Sequence, residues 1–369
     1  MDRNAYILED TGDLISPSLI YYKDIIFENT KRIIEMAGGA ERLWPHVKSH
    51  KTAEMIRMQI ALGIDRFKCA TIAEAEMTSE AGGSHIILAY PLVGPNISRF
   101  IHLVKDHPQI VYYAIGDDFD CLAALAKETL EAGINMNVLI DVDIGMHRTG
   151  VSLETLESFY VRVSSLKGIT LKGLHCYDGH CLDREFTRRK AKTEESDRYL
   201  LQILKSLREK GYDCETLVMG GSPSFPCRTG NADFYLSPGT IFIGDWAYYS
   251  KLPDLAFTPG AALFSRVVSR QSGNTFTIDL GSKGIAADPV GVRGIIAGLE
   301  EASPLLQSEE HWVFSLPSGI AAPPIGSGLY VIPTHICPTS ALYSEIQAAS
   351  GGKITEQWKV RARDRRINY

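Results

Sequence analysis

The chain has 369 residues, of which 45% are hydrophobic and 22% charged, a composition typical of a soluble globular enzyme. Its formal net charge is −6 and it has no basic block, which argues against a nucleic-acid-binding surface. We see neither a signal-peptide pattern nor an apolar run long enough to span a membrane. The 7 cysteines are scattered, so we expect reduced thiols in a cytoplasmic protein without a disulfide framework.

From residue 40 onward, short apolar strands alternate with amphipathic helices. The predicted strands are LWPHVK, RFKCA, HIILAY, QIVYYAIG, MNVLIDVD, ITLKGLHCY, ETLVMG and a short one near ADFYLS. Helical spacing of apolar residues predicts a helix after most of them, from TAEMIRMQIALG to the long REFTRRKAKTEESDRYLLQILKSLREKG. About eight such units predict an α/β fold with a closed (β/α)8 barrel over residues 21–246. An open doubly wound sheet is the alternative, although no GxGxxG motif opens a first helix.

The pattern changes after about residue 247, where long helices stop. The segments FSRVVSRQSGNTFTIDLG, HWVFSLPSG and GLYVIPTHICPT predict short strands separated by Gly, Pro and Asn turns. We therefore predict a β-rich second domain over residues 247–369, which residues 1–20 join.

A lysine ends the first predicted strand, at the edge where barrel enzymes keep their active sites. Lys48 stands in PHVKSHK, with His46, His50 and Lys51 around it. A lysine held in a partly apolar pocket has a depressed pKa, so its free amine can form a Schiff base. An exposed lysine in a strand-to-helix turn is the more common arrangement. Lys51 competes for the role, and we prefer Lys48 because it terminates the strand.

Two turns rich in glycine and serine follow the last two predicted barrel strands. In MGGSPSFP, residues 219–226, two glycines let the backbone approach an anion and Ser222 adds a hydroxyl donor. SPGT, residues 237–240, repeats this chemistry. Phosphate groups bind at this position in many barrels, so the candidate phosphate ligands are Gly221, Ser222, Gly239 and Thr240. Each turn alone is weak support, since tight turns need glycine in any case.

Polar side chains also follow two central strands. Arg148, in DIGMHRTG, could hold a cofactor phenolate or a substrate carboxylate, or form an Asp–Arg pair that ties down the loop. In GLHCYDGH, Tyr177 ends the strand and His180 could act as a general base. A helix N-cap at Asp178 with a structural His180 is the alternative. Together the strand ends indicate a site for a phosphorylated cofactor bound through an amine-reactive carbonyl.

A candidate metal pair lies near the C-terminus. His335 and Cys337 are two residues apart in PTHICPT on an apparent strand, so both side chains should face one way. Imidazole and thiolate suit zinc or a similar divalent ion. Two ligands are too few for a closed structural site, but the open positions could take water and a substrate hydroxyl. A packed cysteine beside an unrelated histidine is the simpler interpretation.

Seven motifs occur in the same order as in one known family: PHVKSHKT, DIGMHRTG, GLHCYDGH, GGSPSFP, SPGT, SEEH and PTHICPT. Through them nearly the whole chain resembles the D-threonine aldolase and D-serine dehydratase-like enzymes, which are fold type III pyridoxal-phosphate enzymes related to alanine racemase. The resemblance implies an alanine-racemase-like barrel, a β domain, and a homodimer whose site takes residues from both subunits. It makes Lys48 the lysine that carries the cofactor, Gly221 and Ser222 its phosphate ligands, and His335 and Cys337 the ligands of zinc, manganese or magnesium.

The resemblance also implies a lyase that acts on D-β-hydroxy-α-amino acids with pyridoxal phosphate and a divalent metal. We expect retro-aldol cleavage of D-threonine-like substrates to glycine and an aldehyde, with His180 as the base and with Arg148 and Tyr177 in the cofactor pocket. D-serine dehydratase-type elimination to a 2-oxo acid and ammonia needs nearly the same residues. Cys337 fits the dehydratases, because the better-known aldolases tend to have aspartate there.

Other functions stay open at this point. A 3-hydroxyaspartate aldolase or dehydratase would use the same residues. A non-catalytic pyridoxal-phosphate-binding protein would keep Lys48 and the phosphate turns but would not need the His335 and Cys337 pair. A racemase would need a second acid or base opposite the lysine and no metal, so the same pair argues against it.

Overall fold

The computed structural model describes residues 3–255, 257–271 and 274–369. Its strands are β1 (Ser18–Tyr22), β2 (Arg66–Cys69), β3 (His85–Leu88), β4 (Val111–Gly116), β5 (Met136–Asp143), β6 (Val151–Ser152), β7 (Ile169–Cys176), β8 (Thr216–Met219), β9 (Tyr235–Leu236), β10 (Ala261–Arg270), β11 (Thr275–Ile278), β12 (Gly294–Ile296), β13 (Ser303–Gln307), β14 (Trp312–Ser315), β15 (Gly328–Pro333), β16 (Glu345–Ser350) and β17 (Lys353–Lys359).

The α-helices are α1 (Lys23–Ala37), α2 (Ala53–Ala61), α3 (Ile72–Ala81), α4 (Pro95–Asp106), α5 (Phe119–Glu131), α6 (Leu153–Val163), α7 (Phe186–Glu209), α8 (Phe225–Arg228), α9 (Thr240–Ile243), α10 (Trp246–Lys251) and α11 (Ile336–Leu342). Short 3-10 helices cover Arg3–Ala5, Ala40–Arg42, Val47–Ser49, Pro253–Leu255 and Arg361–Arg363. Within the described ranges, no helix combines the length and apolar character needed to cross a lipid bilayer.

The chain divides into two compact units. One, called the parallel-sheet unit below, contains Lys31–Lys48, Ala53–Gly239 and Asp364–Tyr369. The other, called the mixed-sheet unit, contains the chain up to Thr30 together with Ser49–Thr52 and Thr240–Arg363. All seven cysteines are free thiols in the structure.

The parallel-sheet unit contains a curled parallel sheet of the order β2-β3-β4-β5-β7-β8-β9, with β6 beside β5. The predicted alternation of strands and helices from RFKCA onward is confirmed. The predicted first strand, LWPHVK, is wrong as a continuous strand. Leu43 bridges to Leu236 and His46 bridges to Lys68, so this segment joins the two edges of the sheet through isolated pairs. Pro45 has no N–H to donate, which limits regular pairing here.

The inner surface of this sheet holds an apolar cluster that supports the strand ends. Its buried members are Trp44, Ile87, Tyr113, Ile115, Leu139 and Val218. Trp44 packs edge-on against Tyr113 with 5.5 Å between ring centroids, and its indole N–H donates to the carbonyl of Phe67 at 2.8 Å. Because the indole is both buried and hydrogen-bonded, it fixes the segment that leads into Lys48.

The mixed-sheet unit contains a sheet of the order β13-β14-β11-β10-β1-β16-β17, and β15 pairs with both β10 and β12. The N-terminal segment LISPSLIYY supplies β1, which pairs antiparallel with β10 and parallel with β16. Its core includes Tyr6, Ile20, Phe264, Tyr330 and Ile332. The turn expected in QSGN includes Ser272 and Gly273, which lie outside the described residues.

The expectation that PTHICPT continues a strand is wrong. β15 ends at Pro333, and α11 begins at Ile336 with His335 as its N-cap residue. Pro338 falls in the first turn of this helix, where a missing N–H costs nothing. His335 and Cys337 are therefore placed by a helix start and not by strand alternation.

Candidate active site

Lys48 lies in the 3-10 helix Val47–Ser49, directly after the bridging segment. The turn is held by His46, whose Nδ1 lies 3.0 Å from the carbonyl oxygen of Lys68. Burial, followed by the neighbouring lysine charges, keeps the pKa of His46 well below its ordinary value, so its ring is neutral. Lys48 itself is half-buried, and its Nζ lies 5.4 Å from the centroid of the Tyr177 ring.

Three cationic groups surround the ring of Tyr177. Besides Lys48, the Nζ of Lys68 lies 5.6 Å and the Cζ of Arg148 lies 5.0 Å from the ring centroid. Each cation is attracted to the ring, but like charges at such short range repel one another. The arrangement therefore favours an anionic ligand beside Tyr177, at the carboxyl ends of the parallel strands.

Arg148 forms no ion pair with a described carboxylate within 4.0 Å, so the Asp–Arg pair left open by the sequence is absent from this part of the chain. Asp143 pairs with His147 instead, with 2.8 Å between Oδ2 and Nδ1. The N–H groups of Gly145 and His147 also donate to Asp143 Oδ1, at 2.9 and 3.0 Å. The loop is thus ordered without its arginine, whose exposed guanidinium stays available for a ligand.

Asp141 and His175 form a buried pair in the same unit. Asp141 Oδ1 lies 2.7 Å from His175 Nδ1, and Thr149 donates its hydroxyl to the other oxygen of Asp141 at 2.7 Å. Burial is the largest cause of the lowered pKa of His175, so its ring is neutral and carries its proton on Nδ1, toward the carboxylate. The opposite nitrogen, Nε2, is buried and has no hydrogen-bond partner among the described residues. An acceptor of this kind is open to a bound molecule.

The turn after β8 passes directly against Tyr177. A Cβ at Gly221 would lie 2.9 Å from Cε2 of that ring, so only glycine fits here without displacement. The N–H of Gly221 donates to Ser224 Oγ at 3.2 Å, so that donor is already engaged. Ser222 accepts a hydrogen bond from the N–H of Gly239 at 3.1 Å. The two predicted phosphate turns therefore meet at Ser222 and Gly239.

A buried ion-pair network holds this turn in place. Ser224 donates its hydroxyl to Asp178 Oδ1 at 2.6 Å, and Arg228 Nη1 pairs with Asp178 Oδ2. Arg228 Nε also reaches Asp197 Oδ2 at 2.8 Å. The interpretation of Asp178 as a helix N-cap is wrong, because α7 begins only at Phe186. Asp178 instead links the glycine turn to α8.

In the mixed-sheet unit, His335 and Cys337 lie together as a hydrogen-bonded pair. His335 Nδ1 is 2.6 Å from Asp288 Oδ2. Burial opposes the charged imidazole, but the hydrogen bonds and charges of Cys337 and Asp288 raise the pKa of His335 to about 9. Burial also opposes the thiolate, yet His335 and the hydroxyls of Ser49 and Thr240 lower the pKa of Cys337. Thr240 Oγ1 and Ser49 Oγ lie 3.2 and 3.3 Å from the Cys337 sulfur.

This donor set fits an open divalent-metal site. A thiolate and an imidazole are ligands that zinc prefers, and a carboxylate on Nδ1 of the histidine, here Asp288, orients such a ligand. In the described ranges no group of three or more His, Cys, Asp and Glu side chains is arranged to hold a metal ion. A closed four-ligand zinc site is therefore absent from these residues, and His335 with Cys337 would leave coordination positions open.

The predicted base, His180, and the alternative cofactor lysine, Lys51, make other contacts. His180 is exposed, and its Nε2 lies 3.7 Å from the Cys181 sulfur and faces Gly145. Lys51 adopts a left-handed backbone conformation with φ 57°, and its carbonyl accepts a hydrogen bond from Ala362.

Comparison with known proteins matches both parts of the chain. The family described as alanine racemase, N-terminal domain, matches residues 23–245, and the putative serine dehydratase domain matches residues 260–349. The D-threonine aldolase of Arthrobacter sp is 27% identical over 337 residues, covering 87% of this chain and 85% of that protein. The 3-hydroxy-D-aspartate aldolase of Paracoccus denitrificans (strain Pd 1222) is 23% identical over 371 residues, covering 96% and 93%. The crystal structure of D-threonine aldolase from Filomicrobium marinum has a TM-score of 0.89 at 26% identity, covering 95% of this chain and 96% of that one.

These matches, with the curled parallel sheet, define a pyridoxal-phosphate-dependent lyase of fold type III. The chain belongs to the alanine racemase N-terminal domain family, whose match covers more than half of its residues. The resemblance of its motifs to the D-threonine aldolase and D-serine dehydratase-like enzymes is confirmed.

Sequence reasoning missed Lys68, which faces the Tyr177 ring, and Asp141, which pairs with His175. Lys68 lies between the buried residues Phe67 and Cys69 of β2, and Asp141 interrupts the apolar run of β5. A charged residue inside a strand that is otherwise apolar is itself a signal, because burying it without a partner is costly. Reading only the residues that follow each strand overlooked both.

Proposed function

We propose that the protein is a pyridoxal-phosphate- and divalent-metal-dependent lyase that cleaves D-β-hydroxy-α-amino acids by a retro-aldol reaction, releasing glycine and an aldehyde from D-threonine-like substrates. The observation that supports it most directly is the half-buried Lys48 amine, 5.4 Å from a Tyr177 ring that also has Lys68 and Arg148 around it. An amine, a flat ring and excess positive charge suit an anionic aromatic aldehyde.

The residues present fit pyridoxal phosphate. Lys48 would hold it through its amine, and Ser222 with Gly239 would lie at its phosphate. The missing side chain of Gly221 leaves room beside the Tyr177 ring, where a Cβ would come within 2.9 Å. When bound, the cofactor supplies a ring that takes up the electron pair of the bond broken at Cα.

The chain's own groups orient and hold protons around that site. Arg148 offers a planar fork of donors for a carboxylate or phenolate, and no described carboxylate within 4.0 Å competes for it. The Asp141 carboxylate fixes the tautomer of His175, so Nε2 presents a lone pair and not a proton. His180 remains the predicted base for the substrate hydroxyl.

We assign His335 and Cys337 as the protein ligands of the divalent metal. A metal there would supply Lewis-acid chemistry, lowering the pKa of a hydroxyl that it binds. The lowered pKa of the Cys337 thiol favours the thiolate, which is the form that binds metal. Asp288 would keep the Nδ1 proton of His335 and leave Nε2 for the ion.

A D-serine dehydratase-type elimination is the second candidate function, and one observation favours it. The putative serine dehydratase domain matches residues 260–349, which contain His335 and Cys337. In a D-serine dehydratase-type reaction, Lys48 would remove the Cα proton and the β-hydroxyl would leave, giving a 2-oxo acid and ammonia. Both reactions need nearly the same residues, and the bond at Cα that the site aligns for cleavage would decide between them.

A product assay separates the two reactions. The purified protein is supplied with pyridoxal phosphate and Mn²⁺ or Zn²⁺, then with D-threonine, D-serine or D-3-hydroxyaspartate, each with an EDTA control. Glycine and acetaldehyde from D-threonine, lost with EDTA, support the proposed aldolase. Pyruvate or 2-oxobutyrate with ammonia supports the dehydratase. If no substrate is turned over although the visible absorbance of bound cofactor is present, the proposed reaction is wrong.

The metal ligands are tested in the same assay. Cys337→Ala should lose metal binding and turnover while keeping the absorbance of bound cofactor. Cys121→Ala serves as the control, since Cys121 is a free, half-buried thiol in α5. Metal content that is unchanged in Cys337→Ala would contradict the assignment.

A further inference from the structure

Lys68 is a buried lysine to which the proposed reaction gives no role. It lies in β2 and is only 1% exposed. Its backbone is fixed, because its N–H donates to the carbonyl of Pro45 at 2.8 Å and its own carbonyl lies 3.0 Å from His46 Nδ1. No described carboxylate lies within 4.0 Å of its Nζ. A buried amine with no carboxylate in ion-pair contact points to an anion that binds beside it.

The Lys68 amine faces the same ring as the cofactor lysine. Its Nζ lies 5.6 Å from the Tyr177 centroid, compared with 5.4 Å for Lys48 and 5.0 Å for the Arg148 guanidinium carbon. Arg148 has no described carboxylate within 4.0 Å either. Two cations without carboxylate partners therefore meet at one aromatic ring.

Burial and the charges around Lys68 together lower the pKa of its amine. The titratable groups that face it are Lys48, Asp141, Asp178, Arg148, His46 and His175. The pKa of Lys68 is lowered to about 7, and burial is the largest cause. Lys48 and Arg148 act in the same direction, and Asp141 and Asp178 oppose them. Because an anion held at the amine would favour the ammonium form, binding and protonation would support each other.

We propose that Lys68 and Arg148 together bind an anionic oxygen in this pocket, either the ring oxygen of the cofactor or the α-carboxylate of the amino acid substrate. This inference rests on the proposed function, since that function brings both oxygens close to Lys48. An ammonium offers three donors on a flexible stem and a guanidinium offers a fixed fork, so the two can share one anion from different directions.

The two sources of the anion are separated by binding measurements without turnover. Lys68→Met keeps the length and apolar stem of the side chain and removes the charge, and Lys68→Arg restores the charge. Lys172→Met is the matched control, because Lys172 is an exposed lysine of the same unit that pairs with Asp213 at 2.7 Å. The affinity of each variant for pyridoxal phosphate is measured first by titration. The cofactor-loaded protein is then titrated with D-alanine and with D-alaninamide, in which a neutral amide replaces the carboxylate. Circular dichroism verifies that each variant is folded.

If the cofactor supplies the oxygen, Lys68→Met should weaken pyridoxal phosphate binding about tenfold or more, and Lys68→Arg should recover most of it. If the substrate carboxylate supplies it, cofactor affinity should change by less than about twofold, while D-alanine binds about tenfold more weakly and D-alaninamide does not. The inference is overturned if a folded Lys68→Met changes none of these affinities. Failure of the wild-type protein to bind pyridoxal phosphate would instead contradict the proposed function.

Discussion

The carboxylate of Asp141 lies 2.7 Å from Nδ1 of His175, and both side chains are buried beside the cluster around Tyr177. The pair fixes the imidazole as the Nδ1–H tautomer, which leaves the buried Nε2 as an acceptor without a described partner. A donor group of a bound molecule that reaches this nitrogen would meet a lone pair. The protein thus sets the polarity of its pocket through a residue that does not face the pocket itself.

Asp141→Asn should therefore lower kcat/KM about tenfold or more without unfolding the protein. An asparagine amide can donate to Nδ1, which moves the imidazole proton to Nε2 and reverses the polarity presented to the ligand. Steady-state kinetics and the melting temperature measure the two effects separately. Asp213→Asn, which removes a carboxylate from an exposed pair with Lys172, is the control. An unchanged kcat/KM in a folded Asp141→Asn would show that the tautomer does not matter.

Gly221→Ala should weaken pyridoxal phosphate binding about tenfold, because the added methyl would come within 2.9 Å of the Tyr177 ring and displace it. Absorbance titration of the apo-protein measures this affinity. Gly230→Ala is the matched control, since a Cβ at Gly230 meets no heavy atom within 4 Å. Equal cofactor affinities for the two variants would contradict the role given to Tyr177.

Arg228→Met should lower the free energy of unfolding by about 3–5 kcal/mol, because it leaves Asp178 and Asp197 without their buried counter-charge. Urea unfolding at neutral pH measures the change. Replacing Arg228, Asp178 and Asp197 together by Met, Asn and Asn should cost less than Arg228→Met alone, since no unpaired charge remains. If the triple variant is the less stable of the two, packing and not charge explains the loss.

Acid should destabilise the protein partly through His50. Burial is the main cause that lowers the pKa of His50 to about 3, from an ordinary value of 6.5, and its Nδ1 accepts the N–H of Thr52 at 3.2 Å. Because the folded form resists protonation, the unfolded chain binds more protons below pH 6.5, and stability is lost as the pH falls toward 3.

Between pH 6.5 and pH 5 this histidine alone should contribute a loss of about 2 kcal/mol. His50→Asn keeps an acceptor for Thr52 but does not titrate, so its unfolding free energy should fall less steeply over the same range. Urea unfolding at several pH values gives both slopes. Parallel slopes for the wild-type protein and His50→Asn would contradict the assignment.

Periodicity predicted the parallel-sheet unit well because its strands and helices are formed by local apolar patterns. The predicted strand MNVLIDVD is β5, as its apolar character indicates, and the predicted strand RFKCA contains β2. The predicted strand at LWPHVK failed for a long-range reason. It must meet both edges of a curled sheet, at Leu236 and at Lys68, and it does so with only two bridges around a proline.

The site was predicted less completely than the fold. Arg148 and Tyr177 follow β5 and β7, and Lys48 follows the segment that bridges the two sheet edges, so chain order already placed all three at one edge. Lys68 and Asp141 are inside strands, and their proximity to Tyr177 and His175 depends on register and side-chain direction. His335 and Cys337 were expected to meet by strand alternation, whereas the N-terminal turn of α11 brings them together.

The central claim is that Lys48 is the lysine that binds pyridoxal phosphate. The most direct test is to load the purified protein with the cofactor, reduce it with sodium borohydride, and locate the pyridoxyl group by peptide mass spectrometry. We expect the modification on Lys48. Modification of Lys51 or Lys68 instead, or of no lysine in a protein that retains the cofactor, would contradict it.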